Sequence, residues 1–273
     1  MNGDALSSFS EFQFTFDGVT HRVFVTPGDA APPVLVMHEL PGMSLAVVNF
    51  ANRLAAEGYR IYLPLLFGEP LQSAMLKNYR SLCISNEFGR LKAGVSAPVT
   101  NWLRALGRKV SADNGNRNIG VIGMCVTGAF AIPLILDAST TAPVASQPAI
   151  PFSTQYWLTG TGDGPWMREL NVSDADIAAA ATRCQRESLT LLAFRFDSDR
   201  VCPREKMERL RDEFKDRLDY HELHQASWWG RTFRPAHAVL TEEYDRAGDD
   251  APEDHPTRVA YRTLLTFLRE RLT

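Results

Sequence analysis

Residues 119–128 read Ile-Gly-Val-Ile-Gly-Met-Cys-Val-Thr-Gly, an apolar run that ends in a Gly-x-Cys-x-x-Gly turn and continues into a helical pattern. A strand that runs straight into a helix, with small residues around one nucleophilic side chain, is typical of a nucleophile elbow, here with cysteine in place of serine. Such a turn would raise the Cys125 thiol above the sheet edge and place the Val126 N–H where it can stabilise an oxyanion. Alternatively, Cys125 is a small buried hydrophobic residue, as free cysteines often are.

The composition is that of one globular domain. The chain has 273 residues, of which 45% are hydrophobic and 22% are charged, and no linker divides it, so we expect a single domain over residues 1–273. The formal net charge is -3 and the basic residues are scattered, which gives no electrostatic case for nucleic acid or a membrane as a partner. The first residues lack the pattern of a secretory signal, and no apolar run approaches membrane-spanning length.

The cysteines and histidines give little support for a metal or redox centre. Four cysteines lie singly along the chain: Cys83, Cys125, Cys184 and Cys202. This pattern suits reduced thiols, and we therefore expect a cytoplasmic protein. The close pair His221-x-x-His224 falls in a predicted strand, where a spacing of three places the two side chains on opposite faces. No metal or other cofactor is expected.

Alternating strand and helix patterns predict the fold class. Phe12, Phe14 and Phe16 alternate with polar residues ahead of a turn at Asp17-Gly18, which predicts an N-terminal antiparallel hairpin. Apolar runs predict further strands at residues 33–37, 59–64, 119–124, 144–146, 189–196 and 217–223. Helical patterns occupy residues 44–58, 69–106, 129–137, 173–186, 203–214 and 256–272, with a long loop at 148–165. The chain is therefore predicted to be α/β, with a mainly parallel twisted sheet of about eight strands and helices on both faces.

Reactive side chains follow the carboxyl ends of the predicted parallel strands, where open α/β sheets bind their ligands. His38-Glu39-Leu40 follows the first of these strands, and Cys125 follows the elbow strand. Asp197-Ser198-Asp199 follows a third strand, and His237 lies in the loop after a fourth. The fold would thus gather a thiol, a carboxylate and an imidazole at one edge of the sheet. By spacing alone, either Asp197 or Asp199 could supply the carboxylate.

The order Cys125, Asp199, His237 is the nucleophile, acid and base order of α/β-hydrolases. Five segments carry a more specific pattern: Val-Leu-Val-Met-His-Glu at 34–39, Gly-Tyr-Arg-Ile-Tyr-Leu-Pro at 58–64, Gly-Val-Ile-Gly-Met-Cys at 120–125, Asp-Arg-Val-Cys-Pro at 199–203 and Ala-His-Ala-Val-Leu-Thr at 236–241. In their order and spacing, the chain resembles the dienelactone hydrolase family, cysteine-dependent members of the α/β-hydrolase fold.

This resemblance implies a role for each reactive side chain. Cys125 would be the nucleophile, His237 the base, and Asp199 the carboxylate that orients the imidazole. Glu39 matches a family glutamate that lies beside the thiol and moves when substrate binds, and a carboxylate there would keep the thiol protonated by like-charge repulsion. The alternative for Glu39 is a loop glutamate that faces water.

Two positions depart from the family pattern. Thr127 stands where the family commonly has glycine, and Thr241 stands where the best-known members have an arginine that holds the substrate carboxylate. Three arginines could take over that role: Arg80, Arg231 and Arg234. Trp228-Trp229 could line the mouth of a pocket, although aromatic pairs in loops also serve as packing anchors.

The predicted activity is hydrolysis of a small-molecule carboxylic ester or lactone through a thioester on Cys125, which water activated by His237 would resolve. The backbone N–H groups of Leu40 and Val126 could form the oxyanion hole. The chain is expected to be a monomer or a small homo-oligomer. The alternative is a non-catalytic protein of this fold that binds a ligand or serves as a thiol-based sensor.

Overall fold

The computed structural model describes residues 5–72, 96–225 and 228–272 of the chain. The strands in these ranges are β1 Ser10–Phe16, β2 Val19–Val25, β3 Pro33–Met37, β4 Arg60–Pro64, β5 Ile119–Met124, β6 Thr140–Ser146, β7 Leu191–Phe196 and β8 Leu218–Leu223. They form one sheet in the order β1-β2-β4-β3-β5-β6-β7-β8. β2 pairs in antiparallel fashion with β1 and β4, and all other neighbours pair in parallel. The predicted sheet and its N-terminal hairpin are confirmed.

Helices connect the parallel strands. Those in the described ranges are α1 Leu45–Ala56, α2 Val99–Asp113, α3 Ala131–Leu134, α4 Thr154–Thr159, α5 Asp174–Glu187, α6 Arg204–Phe214, α7 Trp228–Phe233, α8 Glu242–Ala247 and α9 Pro256–Leu272. Short 3-10 helices occupy Cys125–Phe130, Pro165–Met167 and Lys215–Arg217. None of the helices described combines the length and the apolar character needed to cross a lipid bilayer.

The side chains of β3 show how helices cover both faces of the sheet. Val34 and Val36 belong to an apolar cluster with residues of α1 and α9, whereas Leu35 and Met37 belong to a cluster with residues of α2. Successive side chains of a strand point to opposite faces, so the two clusters lie on opposite sides of the sheet. A third cluster contains residues of α5, α6, β6 and β7. The prediction of helices on both faces is confirmed.

The predicted loop at 148–165 contains helix α4, which the density of proline, glycine and threonine concealed. Ser153 begins this helix because its hydroxyl accepts a hydrogen bond of 3.3 Å from the Tyr156 N–H. Gly160 ends it with a φ of 66°, in the left-handed region that favours glycine. Residues 73–95 of the predicted helical segment 69–106 lie outside the described residues, and α2 begins at Val99.

The helix after the elbow also differs from its prediction at 129–137. It begins at Cys125 itself, as a 3-10 helix, and continues as α3 only to Leu134. The turn leaves no room for side chains at its two glycines. A Cβ on Gly123 would lie 2.3 Å from the Thr127 carbonyl oxygen, and a Cβ on Gly128 would lie 2.7 Å from the Pro148 Cα. Backbone atoms therefore demand glycine at both ends of Gly-x-Cys-x-x-Gly.

Replacing Gly123 by alanine should lower the free energy of unfolding by about 2 kcal/mol or more, because the new Cβ meets a backbone oxygen and forces the elbow open. The matched control is Gly107→Ala in α2, where the new Cβ would meet only the tip of the Ile119 side chain at 3.3 Å. Alanine also favours the helix there, so the control should change the free energy of unfolding by less than about 1 kcal/mol. Urea unfolding measures both, and equal losses in the two variants would contradict the steric argument.

Candidate active site

Cys125 sits at the end of β5 in a strained backbone conformation. Its φ is +52°, a left-handed value that is rare for a residue with a side chain and costs about 1 to 3 kcal/mol. The residue is 7% exposed and belongs to the apolar cluster that also includes Ile150 and against which the partly buried Leu40 packs. A strained residue of this kind persists only where the surrounding structure holds it in place. Here the two elbow glycines leave the space that the turn at Cys125 needs.

Asp199 and His237, which are far apart in the chain, form a direct hydrogen bond. The His237 Nδ1 lies 2.7 Å from the Asp199 Oδ2, and the Asp199 side chain is fully buried. The other carboxylate oxygen, Oδ1, accepts hydrogen bonds from the Val201 N–H at 2.8 Å and the Cys202 N–H at 2.9 Å. The buried Arg195 donates to the carbonyl oxygens of Asp199 and Cys202 from behind the same loop. The loop thus leaves one oxygen of Asp199 for the imidazole.

The second ring nitrogen of His237, Nε2, is the one that does not face Asp199. It is buried and hydrogen-bonds to no nitrogen or oxygen of the described residues. Burial by itself lowers the pKa of His237, but the nearby charges of Asp199 and Cys125, with the hydrogen bond to Asp199, raise that pKa well above its ordinary value. The structure therefore brings the imidazole and the Asp199 carboxylate together, and it places Cys125 near enough for its charge to act on His237.

Asp197, the alternative carboxylate, faces other partners. Its Oδ2 lies 2.5 Å from the Arg231 Nη1 and 2.7 Å from the His224 Nδ1, and its Oδ1 accepts a hydrogen bond from the Gln225 N–H. These contacts leave Asp199 as the carboxylate that meets His237. They also account for Arg231, which binds Asp197.

Glu39 is 2% exposed, so the alternative of a loop glutamate that faces water is wrong. Its Oε1 accepts a hydrogen bond from the Thr241 hydroxyl, and its Oε2 accepts one of 3.2 Å from the Gln147 side-chain amide. Burial raises the pKa of Glu39 to about 7, against the lowering effects of the Thr241 hydrogen bond and of the nearby His237 charge. Glu39 is thus held near His237 by two neutral donors, and its pKa lies near neutral pH.

Gln147 is a site residue that the sequence interpretation missed. It is fully buried, has a φ of +36°, and follows the last residue of β6. Its position directly after the carboxyl end of a parallel strand was the available signal, because the same rule selected Glu39, Cys125 and Asp199. The signal was weak because an amide is a less distinctive reactive group than a thiol or a carboxylate.

The two predicted oxyanion donors, Leu40 and Val126, lie in two different segments of the chain. Val126 is the second residue of the 3-10 helix, where a backbone N–H has no partner within the helix. Leu40 lies in the loop after β3, and its N–H donates to no acceptor in the described part of the chain. His38 fixes the start of this loop, since its Nε2 accepts a hydrogen bond of 3.0 Å from the Leu66 N–H. Burial lowers the pKa of His38 to about 4, so its ring is neutral at pH 7.

The other residues predicted to bind substrate are Trp228, Trp229, Arg80 and Arg234. Trp228 and Trp229 begin helix α7, and Arg80 lies outside the described residues. The charge of Arg234 is close enough to Glu243 to lower the pKa of that carboxyl, although burial raises it overall.

Most of the chain matches the model of one protein family. Residues 21–227 match the model of the dienelactone hydrolase family. This chain belongs to that family. The resemblance seen in the sequence is thereby confirmed, and family membership makes the chain a hydrolase. No curated protein matches the chain.

Solved structures agree on the fold of this family member. The esterase Pf2001 from Pyrococcus furiosus has a TM-score of 0.58 at 13% identity, over 100% of this chain and 96% of that chain. The esterase domain of a Rhodothermus marinus protein has a TM-score of 0.58 at 14% identity, over 97% and 100%. A cold-adapted esterase from an Arctic intertidal metagenomic library has a TM-score of 0.57 at 13% identity, over 98% and 96%. The α/β-hydrolase fold is confirmed.

Thr241, which departs from the family pattern, is part of the hydrogen-bond network of the site. Thr241 is fully buried, and its hydroxyl donates to Glu39 instead of facing an open pocket. A neutral hydroxyl engaged in this way cannot replace the charge of an arginine toward a substrate carboxylate.

The protonation of Glu39 predicts a pH dependence of stability. Its pKa is about 7 in the folded protein and 4.5 when unperturbed, so its contribution to stability is fully present below about pH 4.5 and is lost as the pH rises through about 7. Relative to Glu39→Gln, the wild type should lose about 3 kcal/mol of unfolding free energy between about pH 4 and about pH 8.

Urea unfolding at a series of pH values measures this difference. Glu253→Gln is the matched control, because the Glu253 side chain is 89% exposed and should leave the pH dependence of stability unchanged. A constant difference between wild type and Glu39→Gln across the pH range would contradict the prediction.

Proposed function

We propose that this family member hydrolyses carboxylic esters or lactones through a thioester on Cys125, with His237 as the base and Asp199 orienting the imidazole. The observation that supports this most directly is the 2.7 Å hydrogen bond between Asp199 and His237, with Cys125 close enough for its charge to raise the pKa of His237. The carboxylate fixes the Nδ1–H tautomer, which leaves Nε2 to exchange a proton with the sulfur.

In the first half of the reaction, the Cys125 thiol transfers its proton to His237 Nε2, and the thiolate attacks the ester carbonyl. The carbonyl electron pair moves to oxygen, where the N–H groups of Leu40 and Val126 stabilise the charge. The tetrahedral intermediate then expels the alcohol oxygen, which takes the proton from His237. The raised pKa of His237 favours this charged intermediate state, because the imidazolium is stabilised by Asp199.

In the second half, water attacks the thioester while His237 takes one of its protons. Collapse of the second tetrahedral intermediate breaks the C–S bond, releases the carboxylic acid, and returns the proton to sulfur. Each step uses the same pair of oxyanion donors and the same imidazole, so no cofactor enters the scheme.

Glu39 retains a gating role in this proposal. In its charged form, it would disfavour a thiolate nearby by like-charge repulsion and favour the imidazolium of His237. The hydrogen bonds from Thr241 and Gln147 would have to break before Glu39 could move. Because Thr241 supplies no positive charge, we propose substrates that carry no carboxylate at that position. A cytoplasmic location and a monomeric or small homo-oligomeric state stay predictions.

The thioester should be visible as a burst. With 4-nitrophenyl acetate, the wild type should release up to one equivalent of 4-nitrophenolate rapidly and carry an acetyl group on Cys125 in a peptide mass spectrum. Cys125→Ala should lose both signals, because no other group in the scheme accepts the acyl group. Cys184→Ala is the matched control, since Cys184 is buried in a different apolar cluster. An unchanged burst in Cys125→Ala would reject the proposal.

Asp199 and Asp197 provide a second matched pair. Asp199→Asn should lower kcat/KM for the aryl ester by about 100-fold or more, because the imidazole loses the partner that sets its tautomer. Asp197→Asn should lower it by less than about threefold, because its contacts are to Arg231 and His224.

Alkylation of Cys125 by iodoacetamide across a pH series tests the same pair without an ester. Asp199→Asn should shift the pH profile, and Asp197→Asn should not. A profile typical of a free thiol that also survives replacement of His237 would favour the non-catalytic alternative of ligand binding or thiol sensing.

A further inference from the structure

The hydroxyl of Thr127 lies at the centre of a compact set of backbone groups. Its Oγ1 accepts a hydrogen bond of 3.1 Å from the Met124 N–H and lies 3.0 Å from the Met124 carbonyl oxygen. It also lies 3.1 Å from the Met37 carbonyl oxygen and 3.2 Å from the His38 carbonyl oxygen. The side chain is fully buried. The single hydroxyl proton therefore has carbonyl acceptors within hydrogen-bond distance on two different segments.

These two segments carry the proposed oxyanion donors. The pairing of β3 with β5 ends at Met37 and Gly123, after which one segment leads to Leu40 and the other to Val126. Beyond this pairing, the hydrogen bonds between residues 37–40 and residues 124–127 involve the Thr127 hydroxyl. This holds for the residues that the structure describes. A single side chain thus joins the two segments at the point where the sheet no longer does.

We propose that Thr127 is a positioning residue that sets the separation between the Leu40 and Val126 N–H groups. The proposal rests on the function proposed above. Oxyanion donors act only when both lie within about 2.7 to 3.1 Å of the developing charge, and a displacement of about 1 Å costs on the order of 100-fold in rate. A glycine at position 127 would have no hydroxyl to join the segments, so this threonine takes on a role that the common family elbow lacks.

The test compares a reaction of Cys125 that forms an oxyanion with one that does not. Acylation of Cys125 by 4-nitrophenyl acetate passes through an oxyanion, whereas alkylation by iodoacetamide displaces iodide at a saturated carbon and forms none. Thr127→Val keeps the shape of the side chain and removes the hydroxyl. Thr127→Ser keeps the hydroxyl and removes the methyl group.

Thr127→Val should lower the acylation rate by about 10- to 100-fold while changing the alkylation rate by less than about threefold. Thr127→Ser should retain the acylation rate within about threefold, because the hydroxyl is the group that joins the segments. If Thr127→Val does not fold, as judged by circular dichroism, Thr127→Ala provides the same comparison.

Two outcomes would overturn the proposal. Equal falls in acylation and alkylation would show that the residue supports the elbow as a whole and not the oxyanion donors. Unchanged acylation in the variant that lacks the hydroxyl would show that the hydroxyl positions nothing. Either result leaves a wild-type burst intact, whereas absence of the burst in the wild type would reject the proposed function itself.

Discussion

The close approach of backbone to backbone at the elbow is the constraint on which the site depends. Strand β5 turns so sharply after Met124 that a carbon atom on Gly123 would overlap the Thr127 carbonyl, and Gly128 rests directly on Pro148. Only with both glycines present can the 3-10 helix begin at Cys125 and hold its φ at +52°. The strain at this residue is small beside the packing that enforces it. The elbow places Cys125 at the carboxyl end of β5, at the same edge of the sheet as the loops that follow β3 and β7.

Two buried carboxyl groups of the site, those of Asp199 and Glu39, differ in the hydrogen-bond donors that stabilise them. The Asp199 carboxylate has two backbone donors and an imidazole, so it is well satisfied as an anion. Glu39 has two neutral donors, and burial raises its pKa to about 7. Two carboxyl groups near one imidazole thereby have different surroundings, since one accepts hydrogen bonds from two backbone N–H groups and the imidazole, and burial raises the pKa of the other to about 7.

The two threonines that depart from the family pattern act on the same segment. Thr127 reaches the carbonyl groups at the end of β3, and Thr241 reaches the side chain of Glu39, two residues after that strand. Both positions would carry different chemistry in the common family pattern, glycine in one case and arginine in the other. In this chain, hydroxyl groups at both positions hydrogen-bond to residues 37–39, and position 241 supplies no cation to the site.

The sequence by itself determined the parallel sheet, its order of strand and helix, and which strand ends carry a thiol, a carboxylate or an imidazole. Local patterns suffice for these features, because the apolar periods of strands and helices and the Gly-x-Cys-x-x-Gly turn are short-range properties. Tertiary structure decided which of Asp197 and Asp199 contacts His237. It also placed Glu39 in the interior and brought Gln147 and Thr241 into contact with it. These outcomes depend on which side chains meet across loops separated by up to 202 residues, and no local spacing encodes such a contact.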